Sequence, residues 1–338
     1  MTAKLTPGRY CSRFRLCLTQ VSDEFKWNLP FPFTRSPFPL FPFIIGDMIR
    51  NWNIARDSTL TIGTRTLVMG ILNVTPDSFS DGGEFFSLDK ALAHAEQMIA
   101  EGADIIDVGG ESTRPGGAAI VSAEEELERV LPVIEELTKR FSVPISIDTT
   151  KASVARAALD AGAAIVNDIS ALRFEPEIAD EVAKSGAGLV LMHSRGTPGA
   201  LHGLPPVADI IEEVTNSLRG SIEIAEERGV KRESIVIDPG IGFGKSQEQN
   251  LELIAKLDQL IAAFPDFPLL IGTSRKSFLG RILRDADGNP APSDERLHGT
   301  MASTTAAILK GARIVRVHDV KAAVDAIKTA DAISAVNR

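Results

Sequence analysis

The sequence predicts an α/β protein whose main part is a single-domain (β/α)8 barrel, a TIM barrel, preceded by an irregular Pro/Phe-rich N-terminal extension. From Thr66 onward, short apolar runs alternate with amphipathic stretches of helical period, and the apolar runs number eight. These runs are rich in Val, Ile and Leu without polar alternation, which is typical of strands buried on both faces. Eight such units in about 280 residues fit a closed barrel. A doubly wound open sheet is the alternative, but it accounts more naturally for six units.

The predicted strands, in chain order, are Leu67–Leu72, Ile105–Val108, Ile145–Ile147, Ala164–Val166, Gly188–Met192, Ile235–Ile237, Leu269–Ile271 and Ile314–Val317. The stretches between them have helical periodicity, for example SAEEELERVLPVIEELTKRF and DIIEEVTNSLRGSIEIAEERG. Several of these stretches end in Gly or Gly-Ala before the next strand, as helix C-caps do. The alternation therefore predicts a helix after each strand.

The first part of the chain differs from the barrel in composition. Seven of the 16 phenylalanines lie before Met48, and five prolines lie between Pro30 and Pro42. Proline lacks a backbone donor and interrupts helices, so we expect residues 1–59 to be extended or disordered and residues 60–338 to form the barrel. Two interpretations of residues 1–47 stay open: a docking arm, or translated sequence upstream of a true start at Met48.

Charge and cysteine content restrict the partners and the compartment. The 338 residues carry a formal net charge of −9, which disfavours a broad contact with nucleic acid or with an anionic membrane. No apolar run is long enough to span a bilayer. The two cysteines, Cys11 and Cys17, both precede the barrel, and no secretory leader is evident, so we expect a cytoplasmic protein.

Polar residues follow or end all eight predicted strands. Strand ends of one barrel meet at a common face, and in this architecture that face carries the active site. We therefore expect the polar strand ends to surround one site. They are Asn73, Asp107, Asp148, Asn167 with Asp168, His193, Asp238, the run Thr273–Lys276, and Arg316 with His318 and Asp319.

These strand ends separate into two chemical groups. Arg114, Arg316 and His318 can neutralise an anion, and an Arg can do so with two parallel hydrogen bonds. Asp148, Asn167, Asp238 and Lys276 offer acceptors and donors that suit a flat heterocycle with amide and amine edges. The sequence therefore predicts a pocket with a heterocycle deep in the barrel and a phosphate-like group near the first and last strands.

Three loops bear on this pocket. The segments 73–83 and 109–117 combine glycines with polar residues, as loops that close over a site do. The segment DPGIGFGKS at 238–246 fits neither a Walker A loop nor a dinucleotide fingerprint, so its glycines are expected to bring backbone close to a ligand, with Phe243 as an aromatic wall. The five histidines are scattered and no Ser-His-Asp or Cys-His set occurs, so covalent catalysis is not indicated.

Taken together, these motifs resemble those of the dihydropteroate synthase family, over Thr66 to about Ala335. The resemblance rests on eight segments in chain order: LNVTPDSFSDGG at 72–83, DVGGESTRPGG at 107–117, SIDT at 146–149, VNDIS at 166–170, LMH at 191–193, DPGIGFGK at 238–245, SRKSFLG at 274–280 and RVHDV at 316–320. The chain departs from the family pattern in two places, the loop after LMH at Ser194–Gly203 and the segment before Met48, which has no counterpart in that pattern.

The resemblance implies a transferase of folate biosynthesis that condenses 6-hydroxymethyl-7,8-dihydropterin diphosphate with 4-aminobenzoate, uses Mg2+ and forms a homodimer. It implies catalytic roles for Arg114, Asp148, Lys276 and Arg316. The pterin ring would be held by Asp148, Asn167, Asp238 and Lys276. The diphosphate would be held by Asn73, Arg316 and His318, with Asn73 also facing the metal ion. The aminobenzoate site would be formed by Thr113, Arg114, Pro115, Phe243 and Ser274.

Two other interpretations remain open at this point. One is the pterin-binding module of a corrinoid methyltransferase, which should lack the first-loop and SRK motifs and lie beside a cobalamin-binding domain. The other is a non-catalytic paralogue kept for binding or assembly. Both loops and every candidate ligand residue are present, which favours the enzyme.

Overall fold

Eight parallel strands form the central sheet, in a computed structural model that describes residues 49–55, 58–75, 84–111, 121–197 and 204–336. A two-stranded antiparallel hairpin, β1 and β2, precedes them. The strands are β1 (Arg50–Ile54), β2 (Ser58–Ile62), β3 (Leu67–Asn73), β4 (Ile105–Gly109), β5 (Ile145–Asp148), β6 (Ile165–Asp168), β7 (Gly188–Met192), β8 (Ile235–Asp238), β9 (Leu270–Ile271) and β10 (Ile314–Val317). The predicted strands are thus all present, and two of them have the same bounds as predicted.

The sheet order is β8-β7-β6-β5-β4-β3-β10-β9, so the first barrel strand pairs with the last. A single bridge between Ile237 and Leu269 joins the two ends of this order. The Ile237 amide also donates to the Pro268 carbonyl at 3.0 Å. The sheet therefore closes, and the (β/α)8 prediction is confirmed over the open-sheet alternative.

Helices cover the outer face of the sheet. They are α1 (Glu84–Glu101), α2 (Ala123–Arg140), α3 (Ala152–Asp160), α4 (Ile178–Ser185), α5 (Ile210–Glu227), α6 (Gln247–Ala255), α7 (Leu257–Ala263), α8 (Ser277–Ile282), α9 (Leu297–Leu309) and α10 (Val320–Val336). Ser122 and Asp209 cap α2 and α5 by accepting the amides of Glu125 and Glu212. None of the helices in the described ranges is long and apolar enough to cross a membrane.

The strands are buried on both faces, as their composition predicted. Outward side chains pack against the helices in one large apolar cluster. Inward side chains form a second cluster inside the barrel, composed of Leu67, Met69, Ile105, Ile165, Val190, Val236, Leu270 and Ile314 with residues of the hairpin. The amino-terminal part of the barrel is therefore filled, and open space for a ligand lies at the carboxyl ends of the strands.

The β1–β2 hairpin closes the amino-terminal end of the barrel. Trp52 is fully buried and its Nε1 donates to the Ser234 carbonyl at 2.8 Å. Ile54 and the Trp52 ring pack over Gly188. Residues 50–54, which lie within the segment expected to be extended or disordered, thus form a strand that packs against the barrel, because Trp52 and Ile54 point into it.

Candidate active site

Asn73 and Asp148 face one another across the carboxyl end of β4. Gly109 lies between them, and a Cβ placed there would be 3.6 Å from the Asp148 Cβ and 3.9 Å from the Asn73 Oδ1. The missing side chain leaves room between the two polar groups. The ends of the first and third barrel strands therefore open onto the same space.

Arg316 crosses the floor of this space from β10. Its Nε lies 2.6 Å from the Asp107 Oδ2, and its Nη2 lies 2.6 Å from the Asp148 Oδ2. The sequence argument assigned Arg316 to an anion near the first and last strands, and in this structure its guanidinium is paired with two carboxylates. This pairing brings together strands that the chain separates by 209 and 168 residues.

Asp107 is a site residue that sequence reasoning noted at a strand end but did not assign. It is fully buried, and its Oδ2 also accepts a 3.1 Å bond from the Asn167 Nδ2. Its Oδ1 has no hydrogen-bond partner among the described residues. The sequence signal for its role was a carboxylate among the apolar residues of a predicted buried strand, because a buried carboxylate requires a cation or several donors.

Burial and ion pairing act in opposite directions on the pKa values of Asp148 and Arg316. Burial raises the pKa of Asp148 to about 7, with Arg316 opposing the shift and Asp107 adding to it. Burial disfavours the charged Arg316 guanidinium, but Asp107 and Asp148 outweigh it and raise the Arg316 pKa above its usual value. Since the guanidinium does not lose its proton at neutral pH, Asp148 is the group that takes up a proton as the pH falls below about 7.

Asp238 and Lys276 form the opposite side of the same space. Burial raises the pKa of Asp238 to about 6, and burial together with Arg316 lowers the pKa of Lys276 to about 8. The Lys276 Nζ lies 4.0 Å from the centre of the Phe243 ring, a cation–π distance. Asp148 and Asp238 both act on the Lys276 ammonium, so the predicted pterin-binding carboxylates and lysine share one electrostatic environment.

Ser274 and His318 contact each other. The Ser274 Oγ lies 2.9 Å from the His318 Nδ1 and accepts the His318 backbone amide at 3.2 Å. Ser274 is almost fully buried, so its hydroxyl orients the imidazole of His318. Asn73 and His318, two of the predicted diphosphate residues, line a cavity of about 650 Å³, whose other walls come mainly from α1 and α10 and not from Asp148, Asp238 or Lys276.

Arg275 separates Ser274 from Lys276 and has a left-handed backbone with φ of 56°. Its guanidinium pairs with Asp319, its amide donates to the Thr300 Oγ1, and its carbonyl accepts from Arg296. These bonds offset the strain of the conformation, which turns the chain between its two neighbours. The sequence argument did not single out this residue.

The Asp168 carboxylate stabilises the backbone of the turn after β6. Its carboxylate accepts the amides of Ser170 and Leu172 at 2.7 and 2.6 Å. This places it as a cap for the turn that follows β6. Its neighbour Asn167 is the residue of this pair that bonds to the Asp107 carboxylate.

Thr113, Arg114 and Pro115, predicted for the aminobenzoate site, lie outside the described residues. The stem that leads to them is well anchored. Arg129 donates to the Gly110 carbonyl at 2.7 Å, and the Lys151 Nζ contacts the carboxylate of Glu111 at 2.7 Å.

No cluster of three or more His, Cys, Asp or Glu side chains that could hold a metal ion occurs in the described ranges. Mg2+ keeps several waters and is commonly held by one or two protein oxygens together with substrate phosphates. The half-buried Asn73, whose Oδ1 faces the open space at Gly109, fits that mode. A single asparagine oxygen does not fit a resident ion that is held by protein ligands alone.

Fold and site together define a barrel enzyme that binds a polar, partly anionic small molecule at the carboxyl ends of its strands. The family described as pterin binding enzyme matches residues 69–318. Dihydropteroate synthase of Synechocystis sp. is 49% identical over 316 residues, covering 94% of this chain and 98% of that protein. Because that alignment takes in 94% of the chain, it reaches into residues 1–47.

Solved structures agree with this match. A crystal structure of dihydropteroate synthase from Clostridium difficile in the presence of pteroic acid has a TM-score of 0.74 and 47% identity, covering 80% of this chain and 98% of that one. The enzyme from Xanthomonas albilineans with 4-aminobenzoic acid has a TM-score of 0.76 and 42% identity, covering 84% and 99%. The chain therefore belongs to the pterin-binding enzyme family, and within it to the dihydropteroate synthases.

Proposed function

We propose that this chain condenses 6-hydroxymethyl-7,8-dihydropterin diphosphate with 4-aminobenzoate, forming 7,8-dihydropteroate and diphosphate in folate biosynthesis. One observation carries the proposal. A half-buried arginine, two carboxylates paired with it, a third carboxylate and a lysine of lowered pKa meet at one end of the barrel, beside Asn73. Such a group can bind both a heterocycle with amide and amine edges and a charged leaving group.

The pterin ring is assigned to Asp148, Asn167, Asp238 and Lys276. The amino-pyrimidinone edge of a pterin presents adjacent N–H donors, as a guanidinium does, and a carboxylate can accept both. Asp148 already holds such a donor in the form of Arg316. We propose that pterin binding weakens this ion pair and makes the guanidinium available to the diphosphate.

The diphosphate is assigned to Asn73, Arg316 and His318. His318 is held in place by Ser274, which supports a role for it in receiving a phosphate oxygen. Mg2+, when bound beside Asn73, supplies positive charge that neutralises the phosphate oxygens. Arg316 supplies a permanent charge from the protein, which stabilises the diphosphate as it departs.

We propose a dissociative substitution at the pterin methylene. The C–O bond breaks first, and its electron pair leaves with the diphosphate, while the electron-rich dihydropterin stabilises the cation that remains. The aminobenzoate nitrogen then forms the C–N bond and loses a proton to solvent. Thr113, Arg114, Pro115, Phe243 and Ser274 are assigned to the aminobenzoate side, where orientation of the amine contributes most.

A diphosphate-release assay with both substrates tests the function. We expect release that requires 4-aminobenzoate and yields dihydropteroate in equal amount. A chain that binds the pterin without releasing diphosphate would be a non-catalytic paralogue. A chain that binds methyltetrahydrofolate instead would be a methyltransferase module.

We also propose a homodimer, which the resemblance implies, and a cytoplasmic location, which the cysteine content favours. Analytical ultracentrifugation of the purified protein and fractionation of the producing cells measure them independently of the reaction.

A further inference from the structure

Lys245 is a half-buried lysine in the loop after β8 to which the proposed reaction assigns no role. Its Nζ lies 2.7 Å from the Gly240 carbonyl, 3.1 Å from the Phe243 carbonyl and 3.2 Å from the His193 carbonyl. An ammonium group has three donors, and here each of them has a backbone acceptor. The side chain therefore acts on the surrounding chain and has no donor left for a ligand.

The loop that Lys245 holds follows a path that only glycines permit. Gly240 and Gly244 have φ of 66° and 70°. A Cβ on Gly240 would overlap the His193 carbonyl, and one on Gly244 would overlap Arg195. The tight path directs carbonyl oxygens from the loop and from the end of β7 toward one point, where their mutual repulsion requires a cation.

Phe243 lies within this loop and connects it to the site. Its carbonyl accepts from Lys245, its amide donates to the Gly240 carbonyl at 3.2 Å, and its ring lies under the Lys276 ammonium at 4.0 Å. Phe243 is almost fully buried. The place of its ring depends on the local backbone, and that backbone depends on the carbonyl bonds of Lys245.

We infer that Lys245 is a positioning residue for the synthase reaction, whose ammonium holds the backbone of residues 240–244 so that Phe243 supports Lys276. The inference rests on the proposed function, because its effect is read in that reaction. Lys245 touches neither substrate in this scheme. It acts through the aromatic wall and the lysine that the wall supports.

The test compares Lys245→Met with the wild type in steady-state assays that vary each substrate separately. We expect the KM for 4-aminobenzoate, to whose side Phe243 is assigned, to rise about tenfold or more, and the KM for the pterin substrate, to which Lys276 is assigned, to rise by a smaller factor. Lys256→Met is the matched control, because Lys256 is exposed and forms a surface ion pair with Glu252 at 2.6 Å. Lys245→Gln, which keeps two donors, is measured in parallel and carries the test if the Met variant does not fold.

A double-mutant cycle with Phe243→Leu separates positioning from general loss of stability. If Lys245 acts through Phe243, the double variant is no worse than the more damaged single variant. Additive effects, or lower thermal stability with unchanged KM values, would overturn the inference. An inactive wild type would overturn the proposed function, and this inference with it, whereas an active wild type with an equally active Lys245→Met variant overturns the inference alone.

Discussion

Arg316 connects three strands of the barrel. It was expected to neutralise an anion near the first and last strands, and in this structure its guanidinium bonds to Asp107 and Asp148. The two carboxylates offset the cost of burying the guanidinium, and removal of Arg316 would leave both carboxylates without this cation. The three side chains therefore act as one unit, and a substitution in any of them affects the others.

Replacing Arg316 with Ala is expected to lower kcat/KM for the pterin substrate by about 10²–10³-fold, because the leaving diphosphate loses a permanent charge. The diphosphate-release assay measures this. Arg219→Ala is the control, since Arg219 is an exposed residue of α5. Near-normal turnover in the Arg316 variant would contradict the assignment.

The same unit predicts the pH dependence of the reaction. Below about pH 7 to 6, Asp148 and then Asp238 take up protons, since burial raises their pKa values, and they lose the capacity to accept N–H donors of the pterin. Above about pH 8, Lys276 loses its proton, since burial lowers its pKa. We expect kcat/KM for the pterin substrate to fall on both sides of a maximum between these values, as apparent constants of the coupled group. A flat profile from pH 6 to pH 8 would show that these groups do not titrate in the free enzyme as proposed.

At the scale of elements, the hairpin and the loops perform different tasks at opposite ends of the barrel. The β1–β2 hairpin fills the amino-terminal end with Trp52 and Ile54. Loops at the carboxyl-terminal end hold the site through glycine backbone and capped turns. Stability and function are therefore separable by position, as is general for this architecture.

Gly188→Ala tests the close fit of the hairpin. The new Cβ would lie 3.0 Å from the Ile54 Cγ2 and 3.1 Å from the Trp52 ring, and Trp52 is fully buried and cannot move aside. Overpacking costs about 1–3 kcal/mol, which outweighs the roughly 0.4–1 kcal/mol gained by restricting the unfolded chain. We expect a lower free energy of unfolding in urea with unchanged KM values.

Gly220→Ala is the matched control for this substitution. Gly220 lies inside α5, and nothing lies within 4 Å of its Cβ position. The helix should gain about 0.5–1 kcal/mol. Equal effects of the two substitutions would mean that the hairpin does not press on β7.

At the scale of the whole molecule, the barrel brings residues from all parts of the chain to one mouth, so a ligand there contacts many strands at once. A ligand that binds only the folded state raises stability by about 2.7 kcal/mol at 100 times its Kd. A ligand held by Asp238 and Lys276, as proposed, would also connect the segments that follow β8 and β9, which are joined by a single bridge. Binding is therefore expected to appear as global stabilisation.

We expect the pterin diphosphate with Mg2+ to raise the Tm more than the pterin diphosphate with a chelator. The difference between the two should be smaller in Asn73→Ala, because Asn73 is the proposed protein ligand of the ion. Differential scanning calorimetry with and without chelator measures both. An equal shift with and without Mg2+ would remove the metal from the proposal.

The sequence predicted the eight strands, the helices between them and most residues at the mouth. These features depend on local periodicity and on where strands end, and both can be read along the chain. It also predicted that Asn73, Asp148, Asp238, Lys276 and Arg316 lie around one opening. The roles of Thr113, Arg114 and Pro115 stay predictions from the resemblance.

Only the tertiary structure decided which of these groups bond to each other. The pairing of Arg316 with Asp107 and Asp148, the bond of Ser274 to His318 and the bond of Lys245 to the His193 carbonyl join segments far apart in the chain. Such contacts cannot be predicted from composition and periodicity. They form when the sheet closes, because a buried charge is costly unless it is paired. The position of Trp52 at the amino-terminal end of the barrel is decided in the same way, because only the closed sheet encloses the space that its ring fills.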